Sequence, residues 1–270
     1  MATANGHVRA PHARAMAHKL RQRAPWPGGL SISDIPLRRE VRRGNPNPAG
    51  HILSAKMGRK LQYISPNERA FLLLCEIDPN VIRIADRPIE SCVTLNGKDD
   101  RHFPDYAVLS GGMVEIHEVK SDEIYFNDQS LISRLSRHAR ALEDQGAIYS
   151  VALRSEIMAE PQYEWAARLW PFSTHRITRE AADAVLMTVQ SGPIIVADLM
   201  SSLSRSLGPN APSRGSVLGM AARGEIFSDL NGPVGIETVV RPYDPAAMPA
   251  RLLPIRRPID DLRDRPEVAS

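Results

Sequence analysis

The spacing of hydrophobic and polar positions changes several times along the chain, and each change predicts a new element. Residues 1–50 have little periodicity and are broken by PWPGG and RRGNPNPAG, which predicts a flexible arm. Regular structure is expected to begin with SPNERAFLLLCEIDPN. There Ser65 stands as N-cap, Pro66 takes the first helical position, Glu68 lies three residues past the cap, and Pro79 stops the helix. Residues 81–95 alternate enough for one or two strands, and HFPDYAVLSGGMVEIHEVK (102–120) reads as two strands joined by a Ser-Gly-Gly turn. In NDQSLISRLSRHARALEDQG (127–146), Leu131, Leu135, Ala139 and Leu142 form one helical stripe ended by Gly146, and AIYSVALR (147–154) reads as a buried strand. Helix, several strands, helix, strand predicts an α/β sandwich with a right-handed crossover, assigned to residues 51–160.

A second unit, residues 161–241, follows a connector containing EWAARLWPF. Thr178 caps a helix expected to run through Val189, a second helix lies in IIVADLMSSLSRSL, and a third spans Ser213 to Arg223. EIFSDL and IETVVR, joined by NGPVG, then predict a hairpin, so three helices precede a β-ribbon in a winged-helix pattern. Residues 242–270 hold six prolines with balanced charge and predict a flexible tail.

Strand alternation raises a chemical question in 102–120. Residues two apart share a face, so Phe103, Asp105, Ala107 and Leu109 lie together on one strand. Val114, Ile116, Glu118 and Lys120 lie together on the next, while Glu115 and His117 point the other way. Pairing about Gly111 and Gly112 brings Asp105 to the charged end of that face. A buried carboxylate costs several kcal/mol unless compensated. Asp105 and Glu118 supply the hard oxygens that Mg²⁺ or Mn²⁺ prefers, the Val119 carbonyl offers a further ligand, and Lys120 can orient or deprotonate a water or neutralise charge on a phosphate. These parts suit phosphodiester hydrolysis, against the plainer alternative of a surface ion pair among the same residues. Glu68 has two roles open to it, and its spacing from Ser65 favours a capping box. By parity His117 is expected to be a solvated strand residue, and His102 takes no role.

Composition narrows the setting. At 270 residues and 43% hydrophobic the chain can build one large domain or two modest ones, and no apolar run approaches the length of a membrane helix. Cys75 and Cys92 lack the spacing of a metal clip, which favours a reduced, cytoplasmic protein. The net charge of +3 is uneven: residues 1–60 hold twelve Lys or Arg against Asp34 and Glu40. Arg38, Arg39, Arg42, Arg43, Lys56, Arg59 and Lys60 are therefore expected to bind DNA phosphates, the alternative being a solvated leader. An Arg-rich, acid-poor start also imitates a transit peptide, but without an apolar h-region secretion is not expected. Residues 178–241 balance five Arg against six acids, and their third helix, SRGSVLGMAAR, carries only Arg214 and Arg223. Val217, Leu218 and Met220 either form an exposed set for a protein partner or pack in the core.

The run GHILSAKMGRKLQYISPNERAFLLLCEIDPNVIRIADRP, followed by HFPDYAVL and EIHEVK, resembles the TnsA endonuclease subunit of heteromeric bacterial transposases over about residues 45–155, and more loosely to about 241. The resemblance implies a restriction-endonuclease-like αβββαβ core that cuts the 5′ ends of a transposon. It implies as partners duplex DNA, a DDE transposase that cuts and joins the 3′ ends, and an ATPase regulator contacted through the winged helix, a contact to which the Pro-rich tail, with its ARLLPIRRPIDDL segment, is expected to add. It places the family's helix glutamate on Glu68, its metal aspartate on Asp105 and its catalytic lysine on Lys120. Glu118 stands where the family also carries Gln. This tips Glu68 towards catalysis, with Glu68, Asp105, Glu118 and Lys120 as the expected catalytic set. A stand-alone nuclease of the same fold and a catalytically silent DNA-bridging adaptor are the alternatives.

Overall fold

A hairpin outside the predicted elements opens the regular structure: β1 (Gly50–Ser54) runs antiparallel to β2 (Arg59–Tyr63). The computed structural model describes residues 25–42, 44, 47–95, 97–229, 232–243 and 252–263. Helix α1 (Pro66–Ile77) begins as its residues dictate. Ser65 is extended and its hydroxyl accepts the Glu68 N–H at 3.1 Å, Pro66 fills the first position, and Asp78 ends the helix before Pro79. Strand β3 (Val81–Asp86) follows, then a hairpin of β4 (Ser91–Leu95) and β5 (Lys98–His102). The next hairpin joins β6 (Tyr106–Ser110) to β7 (Met113–Lys120) through Gly111 and Gly112, whose φ values of 58° and 86° suit a two-residue turn that few other residues can make. Ala107 faces Ile116 and Leu109 faces Val114 across it, the register expected from the alternation.

Ser121 and Asp128 cap α2 (Asp122–Asn127) and α3 (Gln129–Glu143), which lead into β8 (Ile148–Leu153). β8 lies parallel to β7, while β3 and β6 are antiparallel to their neighbours, giving the order β3-β6-β7-β8. Helix α1 covers one face, with Phe71 stacked on Tyr106 at 5.4 Å. Helix α3 covers the other, burying Ile132, Leu135, Ala139 and Leu142 against Ala107, Val114 and Ile116.

The chain continues through α4 (Arg154–Ile157), α5 (Gln162–Leu169), α6 (Arg179–Val189), β9 (Ile194–Ile195), α7 (Val196–Leu207), α8 (Arg214–Ala222), β10 (Phe227–Ser228) and β11 (Val239–Arg241). β9 adds a third strand to the expected hairpin, in the order β10-β11-β9. The apolar cluster beneath α1 continues into α5–α8 without a break, so residues 161–241 share a core with the first unit. Helix α8 decides one open question: Val217, Leu218 and Met220 are 0% exposed, so they are core and not a docking face. Gly219 permits this closeness, since a Cβ there would meet the Phe172 carbonyl oxygen at 2.8 Å. Arg223 is also engaged, donating to the Ser173 and His175 carbonyls and to Glu225.

Both ends depart from the expected flexible segments wherever they are described. Trp26 and Leu30 enter the core on the α3 side, and Trp26 Nε1 donates to Asp34 at 3.1 Å. Arg83 lies over the Trp26 ring at 4.6 Å and donates from Nε to Asp34 at 3.0 Å. Ser33 and Leu37 donate backbone N–H groups to Pro88 and Arg87, so residues 26–40 form a strap across the end of β3. Two isolated apolar anchors are enough to pin it, although they create no period in the sequence. At the other end Leu253 is buried, Val151 of the edge strand β8 donates to the Arg256 carbonyl at 2.8 Å, and Arg256 pairs with Glu156 and Asp261. Helix α9 (Pro258–Arg263) follows, and Tyr125 donates to its Asp261 at 2.7 Å. An unpaired sheet edge needs cover, and residues 254–256 supply it. Among the described residues no helix is long and apolar enough to cross a membrane.

A strap packed in this way predicts that Trp26→Ala lowers unfolding stability by about 3 kcal/mol in urea denaturation. An unchanged midpoint would mean that the segment contributes nothing to the fold.

Candidate functional site

The end of the central sheet nearest the start of α1 gathers four carboxylates. Glu68 arrives on the first turn of α1, Asp105 on the residue before β6, Glu118 on β7, and Glu40 on the strap. Capping and participation in the site are not exclusive for Glu68. Its Oε2 accepts the Ile64 N–H at 3.0 Å, rather than that of Ser65, and lies 3.1 Å from the Tyr106 hydroxyl. Its other oxygen faces the guanidinium of Arg87, 3.3 Å from Nη2.

Asp105 is held on both sides. Its Oδ2 accepts the Val119 N–H at 2.7 Å and its Oδ1 accepts from Arg87 Nη1 at 2.6 Å. Val119 thus enters the site through its N–H, while its side chain packs on the α1 side. Glu118 lies on the opposite face of β7 from Val119, with Oε1 paired to Lys120 Nζ and Oε2 accepting from His102 Nε2 at 3.0 Å. Lys120 is the most open member of the set, its side chain 23% exposed.

Two histidines stand differently from their parity-based expectations. His102 ends β5 in a separate hairpin, so strand parity with Asp105 does not govern it, and it is a direct partner of Glu118. His117 is buried rather than solvated. It lies 3.0 Å from Glu115 and 4.9 Å ring-to-ring from Phe71, because α1 covers that face.

Arg87 carries no sequence signal of its own and is the centre of the cluster. It is 1% exposed, and its guanidinium donates to Glu40, Asp105 and Glu68. Among the described residues no three His, Cys, Asp or Glu groups converge as a ready metal cage. Arg87 lies between the carboxylates instead.

Burial and charge crowding shift the carboxyls of the cluster. Burial, and then the neighbouring Asp105, push the Glu68 carboxyl up to about 7 against the pull of Arg87. Burial and Glu118 likewise raise Asp105. Burial opposes charge on Glu118 too, but Lys120 and His102 outweigh it and hold this carboxyl far below the usual range. Lys120 is disfavoured by burial yet raised overall by Glu118 and Asp105, so it stays protonated.

The expected DNA-binding cations divide. Arg38, Arg39, Arg42 and Lys60 are exposed, and Arg43 lies outside the described residues. Arg38 Nε lies 3.2 Å from Glu40. Arg39 and Lys60 line a cleft of about 340 Å³ with His51, Gln62 and Asp86. Arg59 is tied to Asp86 at 2.8 Å. Lys56 is no phosphate ligand: it is 8% exposed, and its ammonium donates to the carbonyls of Cys75 in the last turn of α1, of Asp78 at its cap and of Val81 at the start of β3. The Cys75 carbonyl has no helical donor because residue 79 is proline, and a buried cation satisfies it.

The Glu68 carboxyl sets a pH signature. Its ordinary value is 4.5 and its folded value about 7, so the folded state holds the extra proton between them and loses stability as pH rises through that window. Wild type is therefore expected to lose thermal stability relative to Glu68→Gln between about pH 5 and pH 8, measured by melting in chelator. A gap that does not change with pH would refute the assignment. The chain matches no family model and no curated protein.

Proposed function

We propose that this chain is a divalent-metal-dependent DNA endonuclease acting as the 5′-cleaving subunit of a TnsA-like heteromeric transposase. On this proposal the first unit is a restriction-endonuclease-like αβββαβ core and residues 161–241 form a winged-helix unit. The observation that carries it is the convergence of Glu68, Asp105, Glu118 and Lys120 at one sheet end, beside a cleft lined by Arg39 and Lys60. Gln62 of that cleft also touches the cluster: the Tyr106 hydroxyl, beside Glu68, lies 2.9 Å from the Gln62 carbonyl.

The donor set suits a hard divalent ion. Four carboxylates face Arg87, Lys120 and, at Glu40, Arg38, and Glu68 and Asp105 are raised first by burial and then by a neighbouring carboxylate. Asp105 and Glu118 are the residues that would hold Mg²⁺ or Mn²⁺. When bound, the ion supplies a Lewis acid for the phosphate and lowers the pKa of an attacking water. Lys120, held protonated by Glu118, neutralises charge developing on the phosphate rather than removing a proton. The Val119 N–H fixes the Asp105 carboxylate, and His102 fixes that of Glu118. Exposed Arg39 and Lys60 track the DNA backbone. A DDE transposase and an ATPase regulator are the protein partners; buried Val217, Leu218 and Met220 are not the regulator's contact.

A second possibility, a silent adaptor, draws on one observation: Arg87 fills the space between Glu68 and Asp105. Cleavage of duplex DNA with Mg²⁺, by the chain alone and together with a candidate DDE transposase and ATPase regulator, separates the two. Wild type is expected to leave 5′-phosphate and 3′-hydroxyl ends, with Asp105→Ala and Lys120→Ala at least about 100-fold slower. Equal rates for either variant would rule out the proposed site, and no cleavage by any assembly would favour the adaptor.

DNA affinity provides an independent check. The pair Arg39→Ala and Lys60→Ala is expected to flatten the slope of log affinity against log salt by about 2. Lys56→Met should leave the slope unchanged and lower stability.

A further inference from the structure

We infer that Arg87 is a built-in counter-ion that holds Glu68 and Asp105 closed against a divalent cation, and that Glu40 on the strap keeps it there. This inference rests on the nuclease proposal and adds to it a control over metal loading. Its basis is the engagement of the whole guanidinium. Nε donates to Glu40 at 2.8 Å, Nη1 to Asp105 at 2.6 Å and Nη2 to Glu68 at 3.2 Å. A hard cation cannot approach the facing Asp105 Oδ1 and Glu68 Oε1 while these nitrogens remain in place.

The backbone shows that this placement is imposed. Arg87 is the one non-glycine residue with positive φ among those described, at 47°, and Pro88 follows it. A bulky residue in that region is strained and persists only where its surroundings fix it. Here the fixing contacts are the Arg87 N–H on the Asp105 carbonyl at 2.9 Å and the Leu37 N–H on the Arg87 carbonyl at 3.0 Å. The second contact comes from the strap that carries Glu40. The same segment is tied down at Gln62, whose side chain accepts the Glu40 N–H at 3.2 Å and donates to the Arg38 carbonyl at 2.8 Å.

Charge gives the competition its direction. Arg87 brings a single positive charge to two carboxylates that repel one another, whereas Mg²⁺ or Mn²⁺ brings two. Arg87 thus stabilises the metal-free fold and opposes loading, and weakening its hold favours the ion. Glu40 takes the Nε of the guanidinium and Asp105 its Nη1, so removing the Glu40 charge loosens Arg87 without altering Glu68, Asp105 or Glu118.

Mn²⁺ binding to the full chain, measured by titration calorimetry without DNA, tests this. Asp105→Asn serves as the background for binding elsewhere. Arg87→Met is expected to bind Mn²⁺ about 10-fold tighter than wild type, and Glu40→Gln about 3-fold tighter. Melting should show Arg87→Met less stable than wild type in chelator and more strongly stabilised by Mn²⁺. Unchanged or weaker affinity in either folded variant overturns the proposal and leaves the nuclease assignment standing. If Arg87→Met does not fold, Glu40→Gln alone decides. Absence of Asp105-dependent Mn²⁺ binding in all forms overturns both.

Discussion

Glu68 and Asp105 are buried beside one another where the central sheet meets the first turn of α1, and the surrounding structure is organised by the need to balance that charge. Two carboxylates removed from water repel each other and lose hydration, a cost of several kcal/mol apiece unless cations and donors replace the solvent. Arg87 supplies the cation. Val119 N–H, Ile64 N–H and the Tyr106 hydroxyl supply the remaining polar contacts. The left-handed backbone at Arg87, the strap with Glu40 and the anchoring of that strap by Trp26 and Leu30 all bear on holding one guanidinium in place.

Not every buried charge in the molecule has this character. Lys56 is as hidden as the central groups, yet it donates to backbone carbonyls of Cys75, Asp78 and Val81 where α1 hands over to β3, and Glu76 beside it accepts from Ser54 and Ala55. That is a helix terminus closed by side chains. Glu115 and His117 form another enclosed pair beneath α1. The cluster at the sheet end differs because Lys120 keeps it open to solvent and because an exposed basic cleft adjoins it. A closed ion pair contributes to folding, whereas a partly open one beside cations can meet a phosphate.

The two ends of the described chain act as covers. The strap lies across the end of β3 and presses Trp26 and Leu30 into the α3 side, while residues 252–263 follow edge strand β8 and place Arg256 between Glu156 and Asp261. With the core beneath α1 running on into α5–α8, the sheet is buttressed on both faces and at both ends. Rigid support of this kind suits a site whose carboxylates must be held at fixed separations.

Local rules determined much of this protein directly from its sequence. The Ser65-Pro66-Glu68 start of α1, the Gly111–Gly112 turn, the stripe of α3 and the facing of Asp105 towards the Glu118 end of β7 depend on neighbours a few residues apart, so spacing alone reveals them. Tertiary structure decided what depends on distant partners. Arg87 meets Glu40 and Asp105 across 47 and 18 residues, and Leu252 donates to Asp78 across 174. His102 reached Glu118 from another hairpin, where parity has no bearing, and Lys56 turned inward from a basic run that composition cannot distinguish from a solvated one. Trp26, Leu30 and Leu253 are single anchors without a period, and their burial came from grooves that exist only once the sheet and helices have assembled. A periodic pattern records which way a segment faces, but only the folded chain determines which charges that face will meet.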